Sequence, residues 1–298
     1  MKDWVLRNRQ ILLRGGGTVL SALLLAGLIS RNWPDVLSAL GNVSLIDLLA
    51  AFGLVLCSRL FTMARWHTLL RSGGIPIAFK DTVSLSFTGL FASNFLPTTV
   101  GGDVVRLAGA MQMGYDRAIC LASLAADRLV NMAGMSLAAP LGLYQLFQAA
   151  PLAAGAAFLP AAWWQKAWNF ILRTLDSLTI WLKKPQSLLL ALIFAMAHML
   201  CTFTANYILL HALGGPLPLW RVIGLWSLAY FVGLMPVSIN GYGWQELTVS
   251  TLLSTFGGVS LSISATVAIP HRLLMLAGSL PGAFTLPAIL AKMDKTRP

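Results

Sequence analysis

Charged side chains are scarce in this chain. Only 10% of its 298 residues are Asp, Glu, Lys or Arg, while 57% belong to the hydrophobic set. A soluble domain carries about 25% charged residues, so too few are present to cover a water-exposed surface. This scarcity excludes a soluble protein and predicts an integral membrane protein.

Residues of metal, redox and nucleotide chemistry are equally sparse. The three cysteines, Cys57, Cys120 and Cys201, lie within apolar stretches and form no CxxC pair, which is typical of packing positions. The sequence contains no GxxxxGK[ST] nucleotide loop, no HExxH and no DxxD pair, each of which would indicate a specific chemistry. We therefore expect no cofactor, no metal site, no direct use of ATP and no enzymatic activity.

Acidic residues are rarer than basic ones. The chain has 10 Asp+Glu against 21 Lys+Arg, a formal net charge of +11. No stretch joins basic residues to exposed aromatic side chains as a nucleic-acid groove does, so nucleic acid is excluded as a partner. Basic residues of membrane proteins collect in cytoplasmic loops. Their clusters near both ends of the chain predict a multi-pass membrane protein with both termini in the cytoplasm.

Long apolar runs dominate what is present. A helical span needs about 20 mostly apolar residues. The good candidates are 15–30, 44–63, 118–140, 186–212 and 260–290, and 141–165 is a weaker one because prolines interrupt it. The pattern predicts an all-α polytopic membrane protein with about six to eight transmembrane helices.

Two further apolar stretches, 82–110 and 219–256, are interrupted midway by Pro and Gly. The charge distribution places both ends of 81–117 in the cytoplasm and both ends of 213–259 outside. Each is predicted to enter the membrane as a helix, unwind and return as a re-entrant hairpin, since non-helical backbone is tolerated when it lines a cavity. Two such elements from opposite faces suggest an inverted repeat with a substrate between its halves.

Segment 163–184 differs from the spans because its apolar residues recur at helical spacing between charged ones. This pattern is typical of an amphipathic helix that lies in the membrane interface. We predict an interfacial helix on the cytoplasmic surface. It belongs, with all spans, to a single transmembrane domain of residues 1–298.

The first broken stretch places polar residues where a helix restarts. Pro97 removes an amide donor and disfavours helix at Leu96, and Asp103 can cap a new helix. The free amides and positive dipole end of that helix attract anions, and Arg106 can hold a phosphate with two bonds. The residues predicted to form this lipid-phosphate site are Asn94, Thr98, Gly101, Gly102, Asp103 and Arg106.

The second broken stretch repeats this arrangement. Asn240 begins an Asn-Gly turn, and Glu246, the only glutamate of the chain, lies in the first turn of the helix that restarts after it. A carboxylate at membrane depth is protonated or paired with a cation. Both residues join the candidate substrate-binding set. A protonatable Glu246 that couples lipid movement to protons and a structural pair with an arginine are both open at this point.

Charged residues inside the predicted spans complete the set. Adjacent residues on a helix point about 100° apart, so Asp127 and Arg128 cannot pair well with each other. We expect Asp103 to pair with Arg128, and Glu246 with Arg272. The alternative is that these charges only satisfy one another and specify packing.

Three motifs lie in this order along the chain: Asn94-x-Leu96-Pro97-Thr98-x-x-Gly101-Gly102-Asp103-x-x-Arg106, then Asp127-Arg128, then Pro236-x-Ser238-x-Asn240-Gly241-x-Gly243-x-x-Glu246. Together they resemble the lysylphosphatidylglycerol-synthase transmembrane family. This flippase-like family includes the flippase part of aminoacyl-phosphatidylglycerol synthases. Arg65-Trp66 also fits its pattern, and the resemblance covers nearly the whole chain, about residues 10–290.

The resemblance implies a protein of the inner (plasma) membrane that moves a lipid or a lipid-linked headgroup across the bilayer. The family is associated with aminoacyl phospholipids, polyprenyl-phosphate sugars and hopanoid-related lipids. We expect the lipid partner of this chain to be an anionic phospholipid or a polyprenyl-phosphate-linked sugar. Gln245 stands where the family often has Arg, which weakens an anion-binding role there. No aminoacyl-transferase domain follows the spans, so we do not expect this chain to make an aminoacyl lipid. The resemblance leaves a homodimer and envelope-biosynthesis enzymes open as further partners.

Two other functions remain alternatives to a lipid translocase. A membrane-embedded transferase or phosphatase acting on lipid phosphates would need a nucleophile with its base or an acidic metal cluster. No linear motif supplies either, although a site assembled in space is not excluded by that. A non-transporting partner in envelope polysaccharide or lipid assembly would use its buried charges for packing alone.

Overall fold

The computed structural model describes residues 33–96, 101–149, 179–235 and 237–287, together with single positions between 16 and 30. This part of the chain is helical and contains no strand, which confirms the predicted all-α class. Its helices are α1 (Trp33–Gly41), α2 (Leu45–Ser72), α3 (Phe79–Ser93), α4 (Gly101–Gln112), α5 (Arg117–Ala149), α6 (Thr179–Leu182), α7 (Pro185–Ala212), α8 (Leu219–Gly233), α9 (Trp244–Thr255), α10 (Leu261–Thr266), α11 (Ala268–Ala277) and α12 (Pro281–Pro287).

Three described helices, α2, α5 and α7, are long and apolar enough to cross a membrane. Helices α10 and α11, followed after a 42° bend by α12, form a fourth candidate. These four correspond to the predicted spans 44–63, 118–140, 186–212 and 260–290. A multi-pass membrane protein is thereby confirmed, while the predicted span 15–30 lies largely outside the described residues.

Helix α2 continues beyond the end that hydropathy predicted for it. It runs to Ser72, because the first helix-terminating residues are Gly73 and Gly74, and Gly74 adopts a φ of 99°. Arg59, which lies close to the end of the predicted span 44–63, is therefore near the middle of the helix. Arg65 likewise lies within the helix, where its side chain is buried.

Both broken stretches form pairs of short helices that pack against each other. Helices α3 and α8 have 15 residues each, and α4 and α9 have 12 each. At 1.5 Å per residue these lengths are about 22 and 18 Å, shorter than the hydrocarbon core of about 30 Å. The break before α9 includes Asn240 in a left-handed conformation with φ 48°, which Asn tolerates better than most residues. Re-entry of 81–117 and 213–259 into the membrane stays a prediction.

The described chain repeats one series of helices. A 28-residue helix, a 15-residue helix, a break, a 12-residue helix and a further span occur first as α2–α5 and again as α7–α12. The first two helices of each series start 140 positions apart, at Leu45 and Pro185 and at Phe79 and Leu219. We call residues 45–149 the first half and 185–287 the second half.

The turn after the first helix of each half confirms the equivalence in atomic detail. In the first half the Ile75 amide donates to the Leu70 carbonyl and the Ile77 amide to the Ile75 carbonyl, at 3.0 and 2.9 Å. In the second half Gly215 and Leu217 make the corresponding bonds, with acceptors 140 positions further along, both at 2.9 Å. The two halves therefore share local conformation as well as helix order.

The equivalent long helices α2 and α7 run antiparallel. The Lys184 ammonium group, at the start of α7, donates to the Ser72 carbonyl at the end of α2 at 2.6 Å. Near the middle of both helices, the Ser58 hydroxyl lies 2.7 Å from His198 Nδ1. Because equivalent helices point in opposite directions, the two halves form an inverted repeat, the architecture in which transporters bind substrate between repeats.

Each half also packs closely on the other through a glycine. A Cβ atom at Gly282 would overlap the Phe87 carbonyl of α3, and one at Gly142 in α5 would overlap the Gly224 carbonyl of α8. Thus the last span of each half contacts the first short helix of the other half. Glycine at these positions permits the close backbone approach that small residues provide in membrane proteins.

The predicted interfacial helix 163–184 falls mostly on residues outside the described part, and so it stays a prediction. Its described end contains the four-residue helix α6. There Trp181 is fully buried, and its indole N–H donates to the Leu69 carbonyl at 3.0 Å. This contact fixes the start of the second half against the end of α2.

Candidate functional site

The N-terminus of α4 lies in direct backbone contact with α3. A Cβ atom at Gly102 would lie 2.5 Å from the Gly89 carbonyl oxygen, and one at Gly101 would lie 2.5 Å from the Leu96 Cβ. Only glycine fits both positions, because any side chain would push the two helices of this pair apart. The two glycines therefore allow the first turn of α4 to pack closely against α3.

Arg65 and Asp127 form the most buried ion pair of the described chain. Arg65 Nε and Nη2 donate to the two carboxylate oxygens of Asp127 at 2.7 and 3.2 Å. Arg65 Nη1 also donates to Asn131 Oδ1 at 2.6 Å. Both side chains are less than a tenth exposed, so this bidentate pair joins α2 to α5 within the interior.

Asp103 joins α4 to α5 beside this pair. Its carboxylate accepts a bond from Arg128 Nε at 2.6 Å, which confirms the predicted pairing, and another from Arg106 Nη1 at 3.2 Å. The same nitrogen of Arg106 lies 3.8 Å from Asp127. The cluster of Arg65, Arg106, Arg128, Asp103 and Asp127 therefore holds three cations against two anions.

Arg106 carries unused donors in this cluster. Its Nε and Nη2 atoms are buried and have no hydrogen-bond partner among the described residues. Its guanidinium carbon lies 3.9 Å above the ring of Trp66, a cation–π contact that orients the group. Trp66 is itself fixed, since its indole N–H donates to Ser123 Oγ at 3.1 Å. Arg106 lines a cavity of about 180 Å³ together with Gly102 and Asp103.

The second half contains an ion pair that is equivalent to Asp103–Arg128. Arg272 in α11 donates to Glu246 in the first turn of α9, which confirms the second predicted pairing. Arg272 also lies 3.4 Å from Gln245 Oε1, and its guanidinium carbon is 4.7 Å from the ring centre of Tyr242. The second carboxylate oxygen of Glu246 is buried and has no partner among the described residues.

A larger cavity of about 310 Å³ lies between the two halves. Arg59 from the first half and Arg272 from the second half both line it. Asn240, which also lines the smaller cavity around Arg106, makes the two cavities neighbours. Polar side chains from both halves therefore surround a continuous region in the interior.

The predicted site residues divide between these features. Asn94, Asn240 and Arg272 line the larger cavity, and Gly102, Asp103, Arg106 and Asn240 line the smaller one. Among the described residues, Gly101, Asp127, Arg128 and Glu246 line neither large cavity but contact residues that do. Thr98 lies outside the described residues. The substrate-binding roles of all of them stay predictions.

Sequence reasoning missed several residues of the larger cavity. Arg59, His198 and His271 line the cavity, and none of them belongs to the predicted substrate-binding set. Arg65 was noted only as part of the family pattern. The sequence around Arg59 contains a signal for its central position: no Gly or Pro interrupts the run before residue 73, so the helix can continue well beyond Arg59.

Metal binding has no visible basis in the described part of the chain, where no group of three or more His, Cys, Asp or Glu side chains is placed to hold an ion. The chain is similar to a known protein family. The family described as "Lysylphosphatidylglycerol synthase TM region" matches residues 15–282. No curated protein matches the chain.

Proposed function

This chain belongs to the lysylphosphatidylglycerol synthase transmembrane family, whose description links it to membrane lipids, and we propose that it is a translocase for a lipid with a phosphate headgroup. The observation that supports the proposal best is the interior between the inverted halves. It holds neighbouring cavities lined by Arg59, Arg106 and Arg272. Ionisable residues at membrane depth mark substrate pathways by default.

The headgroup phosphate binds first at the start of α4 in this proposal. The first helical turn has amides without helical partners and a positive dipole end. Arg106 supplies two further N–H donors that no described residue uses. A phosphate oxygen is the acceptor that a guanidinium fork fits. The lipid tails stay in the surrounding hydrocarbon.

Movement of one half relative to the other then carries the headgroup between faces. The inverted repeat provides two related conformations, each open to one side. In the proposal the hairpins 81–117 and 213–259 are re-entrant and enter from opposite faces. The two hairpins start at opposite ends of the antiparallel helices, which supports this arrangement: α3 follows the end of α2, and α8 follows the end of α7.

The proposal also includes the location of the protein and the absence of any chemical change to the lipid. We place the protein in the inner membrane with cytoplasmic termini, from the distribution of basic residues. We propose that the lipid leaves unchanged and that a gradient, not ATP bound to this chain, supplies the energy. Among the described residues, Ser58 and His198 come closest to a pair of nucleophile and general base. Ser58 is buried, however, and it lines neither the larger nor the smaller cavity.

The experiment is a lipid-crossing assay with the purified protein in liposomes. Labelled phosphatidylglycerol and a polyprenyl-phosphate-linked sugar are offered, and their accessibility is measured from both leaflets. Arg106→Ala and Glu246→Gln are compared with Arg117→Ala, which removes an exposed arginine outside both cavities. We expect crossing in the wild type and in Arg117→Ala, and loss in Arg106→Ala.

Two results contradict the proposal. Crossing equal to that of empty liposomes, with the protein shown to be folded by its thermal transition, removes the translocase function. Chemical change of the offered lipid, detected by mass spectrometry of the recovered lipids, would establish the enzymatic alternative instead.

A further inference from the structure

Arg59 has no counter-ion in the described part of the chain. It lies near the middle of α2, and its Nη2 donates to the Met275 sulfur at 2.9 Å, while its buried Nε has no partner there. A thioether is a weak acceptor without charge. The contact therefore orients the guanidinium but does not neutralise it, in contrast to Arg65 and Arg272, which have carboxylates.

A permanent cation in the middle of a spanning helix is expensive to bury. Arginines at such depth pair with an anion, face a water-filled cavity or mark a substrate path. Arg59 faces the larger cavity between the halves. The anion that completes its environment is therefore expected to come from a ligand in that cavity.

The other residues around this cavity point to the rest of the ligand. Apart from Arg59, Arg272 and the Trp226 indole, its polar lining consists of amides, hydroxyls and imidazoles; Asn94, Asn131, Asn240 and Gln245 are the amides. Among the described residues, no carboxylate lines it: Glu246 is bonded to Arg272 and lines an adjoining smaller space, which shares Gln245 and His271 with the larger cavity. Amides donate to and accept from hydroxyl groups, but they offer no charge to an ammonium group.

We infer that this cavity, the Arg59 cavity, is a second headgroup site at the middle of the path, and that it selects anionic, hydroxyl-bearing lipids. The inference rests on the proposed translocase function and names its substrate class. Arg59 binds the phosphate, and the amides bind glycerol or sugar hydroxyls. The site rejects a lysylated headgroup, because its two ammonium groups would meet the unneutralised charge of Arg59 in a cavity that no described carboxylate lines,.

The lipids selected in this way have the opposite net charge to the lipid in the family's description. Lysylphosphatidylglycerol carries two ammonium groups against one phosphate and is net cationic. Phosphatidylglycerol and a polyprenyl-phosphate-linked sugar share the opposite chemistry, a net negative phosphate beside hydroxyls. Both belong to the selected class.

The test is equilibrium binding of short-chain lipids to the purified full chain in nanodiscs. The probes are dioctanoyl phosphatidylglycerol, a short polyprenyl-phosphate-linked sugar and dioctanoyl lysylphosphatidylglycerol, measured by isothermal titration calorimetry. Arg59→Gln is compared with Arg71→Gln, which removes an exposed arginine from the same helix. We expect Arg59→Gln to weaken binding of at least one anionic probe about tenfold or more, and Arg71→Gln to leave it unchanged.

A third variant tests the charge selection without removing Arg59. Gln245→Glu places a carboxylate in the cavity near Arg272. It is expected to weaken the anionic probes and strengthen the lysylated one, so the ratio of the two dissociation constants falls about tenfold or more. A merely structural role for the cavity would change all probes alike.

Each outcome decides a separate question. Equal affinity of the wild type for anionic and lysylated probes overturns the inference, as does unchanged binding in a folded Arg59→Gln variant. If phosphatidylglycerol still crosses liposomes in that case, the translocase function stands and only the Arg59 cavity is refuted. Selective, Arg59-dependent binding without any crossing supports the inference and refutes translocation.

Discussion

Asp103 and Glu246 occupy equivalent places in the two halves, each in the first turn of the helix that restarts after a break. Asp103 accepts a bond from Arg128, and Glu246 accepts one from Arg272. The acids lie 143 positions apart and the arginines 144. One interaction, which joins a hairpin to the span that follows it, therefore occurs once in each half.

The two equivalent pairs differ in burial, and this predicts unequal effects on stability. Glu246→Gln leaves Arg272, only 20% exposed, without its carboxylate and is expected to cost about 3 kcal/mol,. Asp103→Asn affects Arg128, which is 39% exposed, so solvent screening reduces the loss of that contact to about 1 kcal/mol,. The other partner of Asp103, the buried Arg106, keeps the carboxylate of Asp127 at 3.8 Å. Thermal and denaturant unfolding in detergent measures both. A larger loss in Asp103→Asn would contradict this ranking.

The Arg65–Asp127 pair is expected to be the most sensitive ionic contact. Asp127→Asn removes a carboxylate that accepts two bonds from a buried arginine and lies near a second, and it is expected to destabilise the fold by about 3–5 kcal/mol,. The exposed Asp116, whose side chain accepts from the Ile119 amide, is the control. Asp116→Asn should cost about 1 kcal/mol or less, as a helix cap does.

The close contacts between the halves predict opposite signs for two glycine substitutions. Gly282→Ala introduces a Cβ that overlaps the Phe87 carbonyl, and it is expected to cost about 1–3 kcal/mol because backbone must shift,. Gly53→Ala, in the middle of α2, meets nothing within 4 Å and is expected to stabilise the helix by about 0.5–1 kcal/mol,. Unfolding measurements on both variants check the pair. Equal effects would show that the halves do not pack as described.

The antiparallel arrangement predicts which positions share a side of the membrane. In a variant without its three native cysteines, Ser72→Cys and Lys184→Cys should react with an impermeant thiol reagent added to one side of oriented vesicles. Asn42→Cys, just before the start of α2, and Ser260→Cys, at the start of α10, which packs against α1, should react from the other side. Labelling of Ser72→Cys and Lys184→Cys from different sides would contradict an inverted repeat.

The sequence was sufficient to predict four spans and two of the interhelical ion pairs, Asp103–Arg128 and Glu246–Arg272. Few charges occur in apolar surroundings, and each buried charge requires a complement, so Asp103 and Glu246 had a limited choice of partners. The all-α class followed from the apolar composition, because a backbone segment that crosses hydrocarbon must satisfy its hydrogen bonds internally, as a helix does.

The central cavity could not be predicted in this way. Hydropathy averages over a window, so the basic residues after Phe61 shortened the predicted span and moved Arg59 to its end. The pairing of Arg65 with Asp127 brings that part of α2 into the interior, which depends on a contact 62 positions away. The lining of the cavity depends further on the antiparallel contact of α2 with α7, which no local pattern encodes.

The glycine contacts described above connect the halves crosswise, α5 of the first with α8 of the second and α12 of the second with α3 of the first. Each half consequently obtains part of its interior from the other. During synthesis, the first half reaches the membrane before α8 and α12 exist to cover it. We therefore expect its native packing to be completed only when the last spans insert, and the chain to mature as one cooperative unit.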